Sequence, residues 1–139
     1  MNATILPRWK ERLGTFRQAL ARLGNVIALQ KERALSEYEC DSLIKRFEFS
    51  YEMAWKLMMS YEKENGVEGI LGSKDVVRHA VAIRLIDNGE AWMDMIDARN
   101  KTSHVYDEQM ANDVADEIVF TYYRLLEELL NKMSAICTD

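Results

Sequence analysis

The chain has 139 residues, of which 48% are hydrophobic and 29% are charged, a composition typical of a globular protein. This length predicts a single domain over residues 1–139. The net charge of −5 argues against a protein that coats nucleic acid with a broad basic surface. Cys40 and Cys137 lie too far apart for a metal-ligand motif, and nothing resembles a disulfide framework. No apolar run suits a signal peptide or a membrane span, so we expect a cytoplasmic protein without membrane contact. We also expect no metal and no cofactor.

The first two predicted helices are long and amphipathic. Pro7 suits the first turn of a helix, and apolar residues then recur at spacings of three and four: Trp9, Leu13, Phe16, Leu20, Leu23 and Ile27. Ser36 and Glu39 have the spacing of a capping box. They precede a second apolar series, formed by Cys40, Leu43, Phe47, Tyr51, Ala54, Met58 and Tyr61. We expect this second helix to stop at Gly66.

Three further helices are predicted. We expect Ser73 to cap a third helix and Asn88-Gly89 to end it; its inward residues are Val76, Val77, Ala80, Ile83 and Leu85. A fourth helix begins near Glu90 and turns Trp92, Met95 and Ile96 inward. A fifth runs from about Asp107, with Met110, Val114, Ile118, Leu125 and Leu129 inward. Because no segment alternates as a strand does, the predicted fold class is all-α: an up-and-down antiparallel bundle of four to five helices.

One segment invites comparison with nucleotidyltransferases. Their signature has a Gly-Ser turn before an Asp-x-Asp pair on a strand, and Gly72-Ser73 resembles its first part. The carboxylates do not follow, since Asp94 and Asp97 have the helical spacing of three and no strand is predicted. Helix capping explains the Gly-Ser pair better, so we do not expect this chain to be a nucleotidyltransferase by itself.

Two other candidate sites have simple structural explanations. Glu48 and Glu52, at positions i and i+4, could form a metal-binding carboxylate pair, but di-iron bundles combine such pairs with a Glu-x-x-His motif that is absent here. His79 lies on the third predicted helix without an obvious acidic partner. A partly exposed structural histidine is the favoured interpretation, and no metal site is predicted.

The most unusual segment is "DARNKTSHVYDE", Asp97 to Glu108, which gathers many polar side chains. On an unbroken helix, Arg99 and His104 would lie about 140° apart. Thr102 and Ser103 disfavour a helix interior, and Asp107 is a good cap for the next helix, so we expect the helix to break between Arg99 and His104.

Such a break would allow metal-independent phosphodiester chemistry. Histidine can transfer protons near neutral pH, and a guanidinium can hold a phosphate. Asn100 could orient the phosphate or cap the helix. The alternative is structural: Arg99 pairs with Asp97 or another carboxylate, and His104 caps or packs.

Two longer motifs carry a family resemblance. "RFEFSYEMAWKLM", Arg46 to Met58, and "AWMDMIDARNKTSHVYDE", Ala91 to Glu108, resemble the nucleotidyltransferase substrate-binding proteins, a branch of the HEPN superfamily. The resemblance extends from Trp9 to Met133. It implies a HEPN-like helical bundle that forms a homodimer and pairs with a minimal nucleotidyltransferase encoded nearby.

The resemblance also implies roles for individual residues. Related HEPN proteins are ribonuclease toxins in which Arg-x4-6-His forms the active site, and some carry the longer form Arg-x4-His-x-Tyr. This chain matches the longer form with Arg99, Asn100, His104 and Tyr106. In such pairs the nucleotidyltransferase can act as the antitoxin by adding adenylyl groups to the motif tyrosine, which here is Tyr106.

Two functional hypotheses follow from this resemblance. In the first, the chain is the helical, substrate-binding partner of a minimal nucleotidyltransferase, within a two-gene toxin–antitoxin-like module. In the alternative, it is an endoribonuclease toxin that uses Arg99 and His104 and is silenced through Tyr106. Both include a homodimer whose cleft takes RNA or a nucleotide. A bundle with only a structural role is the third interpretation.

Overall fold

The structure, a computed structural model, describes residues 6–105 and 107–138. It contains helices α1 (Arg8–Glu32), α2 (Glu37–Glu64), α3 (Ser73–Ala82), α4 (Gly89–Lys101), α5 (Glu108–Glu117) and α6 (Tyr123–Cys137). A 3₁₀ turn, Thr102–His104, follows α4, and a π-helical turn, Ile118–Tyr122, joins α5 and α6 into one rod. The described residues include no strand, so the predicted all-α class is confirmed.

Helices α1 and α2 form a hairpin whose local features follow the sequence closely. The apolar stripe of α1 is buried along its whole length. At the start of α2, the Ser36 hydroxyl accepts from the Glu39 N–H at 3.1 Å and the Glu39 carboxylate accepts from the Ser36 N–H at 2.9 Å, which confirms the capping box. The helix ends before Gly66, whose φ of +86° is accessible to glycine at little cost.

Helix α2 is the central element of the bundle. It packs against α1, α3, α5 and α6. Buried apolar side chains from all six helices form one continuous core, and most predicted core positions of α2 lie in it. Tyr61 is only partly buried; its ring meets that of Trp9 edge to face, with centroids 5.2 Å apart. Because α2 is surrounded in this way, its residues hold the neighbouring helices in place.

The turn between α3 and α4 differs from the prediction. Ser73 is the first residue of α3 rather than its cap, and the Asp75 carboxylate instead accepts from the Leu71 N–H at 2.9 Å. The helix ends at Ala82 because the chain turns through a left-handed Arg84, φ +61°, which leaves Ile83 45% exposed. Asn88 begins α4 instead of ending α3, since its side chain accepts from the Ala91 N–H at 3.1 Å.

The C-terminal rod also differs in detail. Met110 was predicted to point inward but is 40% exposed, whereas Ala115 is buried. The buried positions continue through the π-helical turn at spacings of three and four, from Ala115 to Leu129, so Ala115 and not Met110 marks the inward face of α5. Downstream of α5, Ile118, Leu125 and Leu129 are buried as predicted. None of the helices in the described residues is long and apolar enough to cross a membrane.

Candidate functional site

The chain breaks its helix where the polar segment lies. Helix α4 ends at Lys101, the 3₁₀ turn covers Thr102–His104, and Val105 has extended backbone. Asp107 then caps α5, because its carboxylate accepts from the Met110 N–H at 2.8 Å. The predicted break between Arg99 and His104 is therefore confirmed.

Arg99 is held against the middle of α2 by two carboxylates. Its Nη1 lies 3.4 Å from Oε2 of Glu48, and its Nε lies 3.7 Å from Oε1 of Glu52. The Arg99 side chain is 27% exposed, so solvent screens these ion pairs only in part. The structural alternative predicted that Arg99 pairs with Asp97 or another carboxylate, and the arginine does pair with two other carboxylates, both on α2.

Thr102 fastens this arrangement to the end of α4. Its hydroxyl lies 2.6 Å from Oε2 of Glu48 and 2.7 Å from the Arg99 carbonyl oxygen, and Nη1 of Arg99 reaches Oγ1 at 3.4 Å. The Trp55 indole N–H donates to Oε2 of Glu52 at 3.1 Å. We call these five residues, Glu48, Glu52, Trp55, Arg99 and Thr102, the Arg99 cluster.

Two other predicted site residues, Asn100 and His104, are exposed and are not among these five. His104 is exposed at the end of the 3₁₀ turn, two residues after the buried Thr102. Asn100 is exposed as well, and it lines a separate groove together with Ile96 and the residues 71–75 that begin α3. Tyr106 lies outside the described residues. The structure therefore brings Arg99 onto α2, and it places Asn100 beside another helix end.

The cluster leaves Arg99 able to receive an anion. Good N–H···O bonds have donor–acceptor distances of about 2.7 to 3.2 Å, and both carboxylate contacts are longer. The Nε atom is buried without a hydrogen-bond partner among the described residues, so an anion must reach the other donors of this side chain, which is 27% exposed. Because guanidinium has five N–H donors, the carboxylates can orient Arg99 while other donors bind a phosphate oxygen.

Sequence reasoning identified Arg99 but missed the residues that hold it. Glu48 and Glu52 were considered only as a metal pair, and Thr102 only as a helix breaker. The available signal was the pair of carboxylates at i and i+4 on the side of α2 away from its apolar series. Among residues 6–105 and 107–138, no three His, Cys, Asp or Glu side chains are grouped so that they could hold a metal ion.

Comparison with known proteins agrees with the fold and with the family resemblance. The family model described as "Nucleotidyltransferase substrate binding protein like" matches residues 11–135. A Haemophilus influenzae protein named "Probable ribonuclease HepT" is 34% identical over 93 residues, which are 62% of this chain and 64% of that protein. The match thus spans less than two thirds of the relative's length.

Two solved structures resemble the chain over most of its length. One, from Haemophilus influenzae, is 25% identical with a TM-score of 0.80, covers 88% of this chain and 98% of its own, and is described as the fold of a substrate binding domain of a nucleotidyltransferase. The other, a tri-AMPylated Shewanella oneidensis HEPN toxin in complex with an MNT antitoxin, is 16% identical with a TM-score of 0.75. It covers 94% of this chain and 99% of its own, and at this identity the likeness concerns the fold alone.

The family model spans nearly all of the helical bundle, including α2, the end of α4 and the turn that carries His104. The chain belongs to the nucleotidyltransferase substrate binding protein like family.

Proposed function

We propose that this protein is the helical partner of a minimal nucleotidyltransferase, in a two-gene toxin–antitoxin-like module of the cytoplasm. The observation that carries the proposal is the family match over residues 11–135. The Shewanella relative, a toxin bound to an antitoxin, supports the same kind of assembly. Co-expression with the nucleotidyltransferase encoded beside this chain should yield a complex that survives gel filtration; separate elution of the two proteins would contradict the proposal.

In this module the nucleotidyltransferase modifies Tyr106. The phenol oxygen attacks the α-phosphorus of ATP, pyrophosphate leaves, the phenol proton is lost, and the tyrosine carries an AMP group. AMP adds negative charge and bulk two residues after His104 in the sequence, and this would oppose binding of a substrate phosphate. The Shewanella toxin, which has a similar fold, is tri-AMPylated, and this supports the proposal.

Intact-protein mass spectrometry tests the modification. After incubation with the nucleotidyltransferase, ATP and Mg²⁺, the wild-type chain should gain one or more adenylyl masses, and Tyr106→Phe should lose at least one of them. Tyr38→Phe is the matched control, since Tyr38 is 83% exposed on the first turn of α2. Equal modification of the wild type and Tyr106→Phe would exclude Tyr106 as the acceptor.

The second candidate function is a metal-independent endoribonuclease that uses Arg99 and His104. It is favoured by the helix break, which places an anchored arginine and an exposed histidine on either side of Thr102. In this reaction His104 removes the proton of a ribose 2′-hydroxyl, whose oxygen attacks the adjacent phosphorus. The 5′-oxygen leaves with a proton from the imidazolium or water, which produces a 2′,3′-cyclic phosphate, while Arg99 stabilises the charge on the phosphate oxygens. Asn100, which was predicted to orient the phosphate, lines the groove beside the start of α3, so its role stays a prediction.

A cleavage assay in EDTA tests this chemistry. The isolated protein should cleave RNA, and both Arg99→Ala and His104→Ala should lower the rate by about two to four orders of magnitude. Products that end in a cyclic phosphate would identify the mechanism. If the wild-type chain leaves RNA intact but still binds the nucleotidyltransferase, the ribonuclease candidate fails and the partner function remains.

A homodimer would complete the site. One chain offers a single Arg99 and a single His104, too little to grip a polyanion, and a two-fold axis doubles both. We therefore propose that two copies of the segment from Arg99 to Tyr106 face a shared cleft for RNA or a nucleotide. Analytical ultracentrifugation should show a dimer at micromolar concentration, and a purely monomeric sample would contradict this arrangement.

A further inference from the structure

A groove between α1 and α2 has a charge opposite to that of the whole chain. It is lined by Ala19, Arg22, Lys45, Arg46 and Phe49 and encloses about 250 Å³. Its lining includes three cationic side chains and no carboxylate, although the chain has 23 acidic and only 18 basic residues. Such a local excess of positive charge favours an anionic ligand.

The groove also exposes an aromatic ring. Phe49 lies on the outer side of α2 and is 52% exposed. Arg46 beside it is fixed, because its Nη1 donates to the Arg22 carbonyl oxygen at 2.7 Å. One arginine therefore braces the two helices, and the exposed Arg22 and Lys45 side chains flank the ring. A half-exposed ring among cations matches the way proteins bind single-stranded nucleic acid, by stacking bases and neutralising phosphates.

The groove adjoins the Arg99 cluster. Phe49 follows Glu48 in the sequence, and Glu48 is 3.4 Å from the Arg99 guanidinium. Both features thus belong to the same turn of α2, which separates them by only about 100° around the helix axis. A strand whose scissile phosphate lies at Arg99 can therefore continue across α2 into the groove.

From this geometry we propose that the α1–α2 groove is a docking site for single-stranded RNA, in which a base stacks on Phe49 and phosphates contact Arg22 and Lys45. The proposal deepens the ribonuclease candidate, on which its choice of ligand rests. A second copy of the chain is a poorer occupant, because a two-fold contact at this groove would place like charges opposite each other. The net negative charge of the chain is no obstacle, since the positive charge is concentrated where the strand would lie.

Binding can be measured separately from cleavage. The probe is a short, fluorescently labelled oligouridylate with 2′-O-methyl groups, which lacks the hydroxyl nucleophile, and the readout is fluorescence anisotropy with the full chain. Phe49→Ala should weaken binding about 5- to 150-fold, the usual value of one stacked base. Tyr38→Ala is the matched control, because Tyr38 is an exposed aromatic residue of α2 beside acidic Glu37 and Glu39, and it should leave binding unchanged.

The cations are tested through salt dependence. Arg22→Ala combined with Lys45→Ala should weaken binding and reduce the slope of log K against log salt concentration by about 1.4, or about 0.7 for each lost phosphate contact. Arg124→Ala combined with Lys132→Ala removes the same charge from exposed positions of α6 and should leave the slope unchanged. Circular dichroism should show unaltered folding, since Arg22 and Lys45 are exposed and Phe49 is half exposed.

Three results would overturn the groove proposal. The probe does not bind the wild type at low salt, it binds Phe49→Ala and the wild type equally, or Phe49→Ala has a different oligomeric state from the wild type while probe binding is unchanged. The last would make this face an interface between copies. Phe49-dependent binding without any RNA cleavage would keep the groove and reject the ribonuclease candidate. If Phe49→Ala cleaves RNA and binds the probe as well as the wild type does, the ribonuclease candidate is kept and the groove proposal is rejected.

Discussion

The carboxylates at the middle of helix α2 and the carboxylate in its last turn have different surroundings. At the middle, the side chains of Glu48 and Glu52 are 18% and 32% exposed, and both meet the Arg99 guanidinium. In the last turn, Glu62 is 0% exposed, and neither of its carboxyl oxygens has a hydrogen-bond partner among the described residues. The same side chain on the same helix therefore has two opposite environments.

The difference shows how the fold distinguishes the candidate site at the middle of α2 from the hydrophobic core at its end. An arginine compensates the charge of carboxylates that are withdrawn from water, and at the middle of α2 the two carboxylates in turn orient Arg99. Glu62 has no such compensation, and its burial raises the pKa of its carboxyl to about 8, because desolvation penalises the charged form. The carboxylates beside the helix break are thus paired with a cation, and the end of α2 behaves as core. The predictions below test each half of this contrast.

The largest effect is expected when the carboxylates at the middle of α2 are removed. Glu48→Ala combined with Glu52→Ala leaves Arg99 without its anchors, and a misplacement of about 1 Å can cost about 100-fold in rate. In the EDTA cleavage assay, kcat of this double variant should therefore fall by up to about 100-fold. The loss should be smaller than that of Arg99→Ala, since the guanidinium is still present.

A matched variant separates anchoring from net charge. Glu64→Ala combined with Glu68→Ala removes two exposed carboxylates and changes the net charge equally, so its kcat should stay close to wild type. If both double variants cleave as fast as the wild type, Arg99 is not positioned by the carboxylates of α2.

Thr102→Val should give the next largest effect, on stability. The variant keeps the shape of the side chain but removes the 2.6 Å hydroxyl contact to Glu48, and a buried polar group left without its partner costs about 1 to 3 kcal/mol. Urea denaturation should show this loss, and Thr102→Ser should recover part of it. Thr15→Val, at an exposed position of α1, should change the unfolding free energy by about 0.5 kcal/mol or less. An equally small change in Thr102→Val would show that the hydroxyl does not hold the cluster.

Asp107→Ala tests the other side of the helix break with a smaller effect. It removes the cap of α5, a contact of 2.8 Å to the Met110 N–H, and such caps stabilise by about 1 kcal/mol. The loss should be local: amide hydrogen exchange should speed up in the first turn of α5 while the middle of α2 keeps its protection. Asp107→Asn, which can still cap, should behave like the wild type. Exchange that rises equally in both regions would show that they are one cooperative unit.

These contrasts also explain which features could be predicted from sequence. Helix faces, the capping box at Ser36 and the Asp107 cap depend on residues within one or two turns, so local spacing revealed them. Gly66 ended α2 as expected for the same reason. The helix break between Arg99 and His104 was predicted on the same basis, from Thr102 and Ser103. The local signals were therefore sufficient to place the site along the chain.

The misses have a different cause, since they depend on residues distant in sequence or on irregular backbone. The contact between Glu48 and Thr102 spans 54 positions, and no local pattern indicates that α4 ends against the middle of α2. Met110 was assigned inward by its spacing, but it lies in the first turn of α5 and is 40% exposed, because the packing of α5 on α2 decides which face of that turn is covered. The role of Tyr106 and the single domain over residues 1–139 stay predictions.

At acid pH, Glu62→Gln should change the unfolding free energy less than any variant above. The difference from the wild type should grow as the pH rises. With a pKa near 8 when folded and about 4.3 when unfolded, Glu62 binds more protons in the folded state between these values. Stability therefore falls as the pH rises through this window. The wild type and Glu62→Gln should have similar unfolding free energies near pH 5, and the variant should become the more stable of the two by pH 8. Glu64→Gln, an exposed neighbour on α2, should follow the wild type across the same pH series of urea titrations. If Glu62→Gln and the wild type lose stability in parallel, the end of α2 is compensated like its middle, and the contrast between the two regions fails.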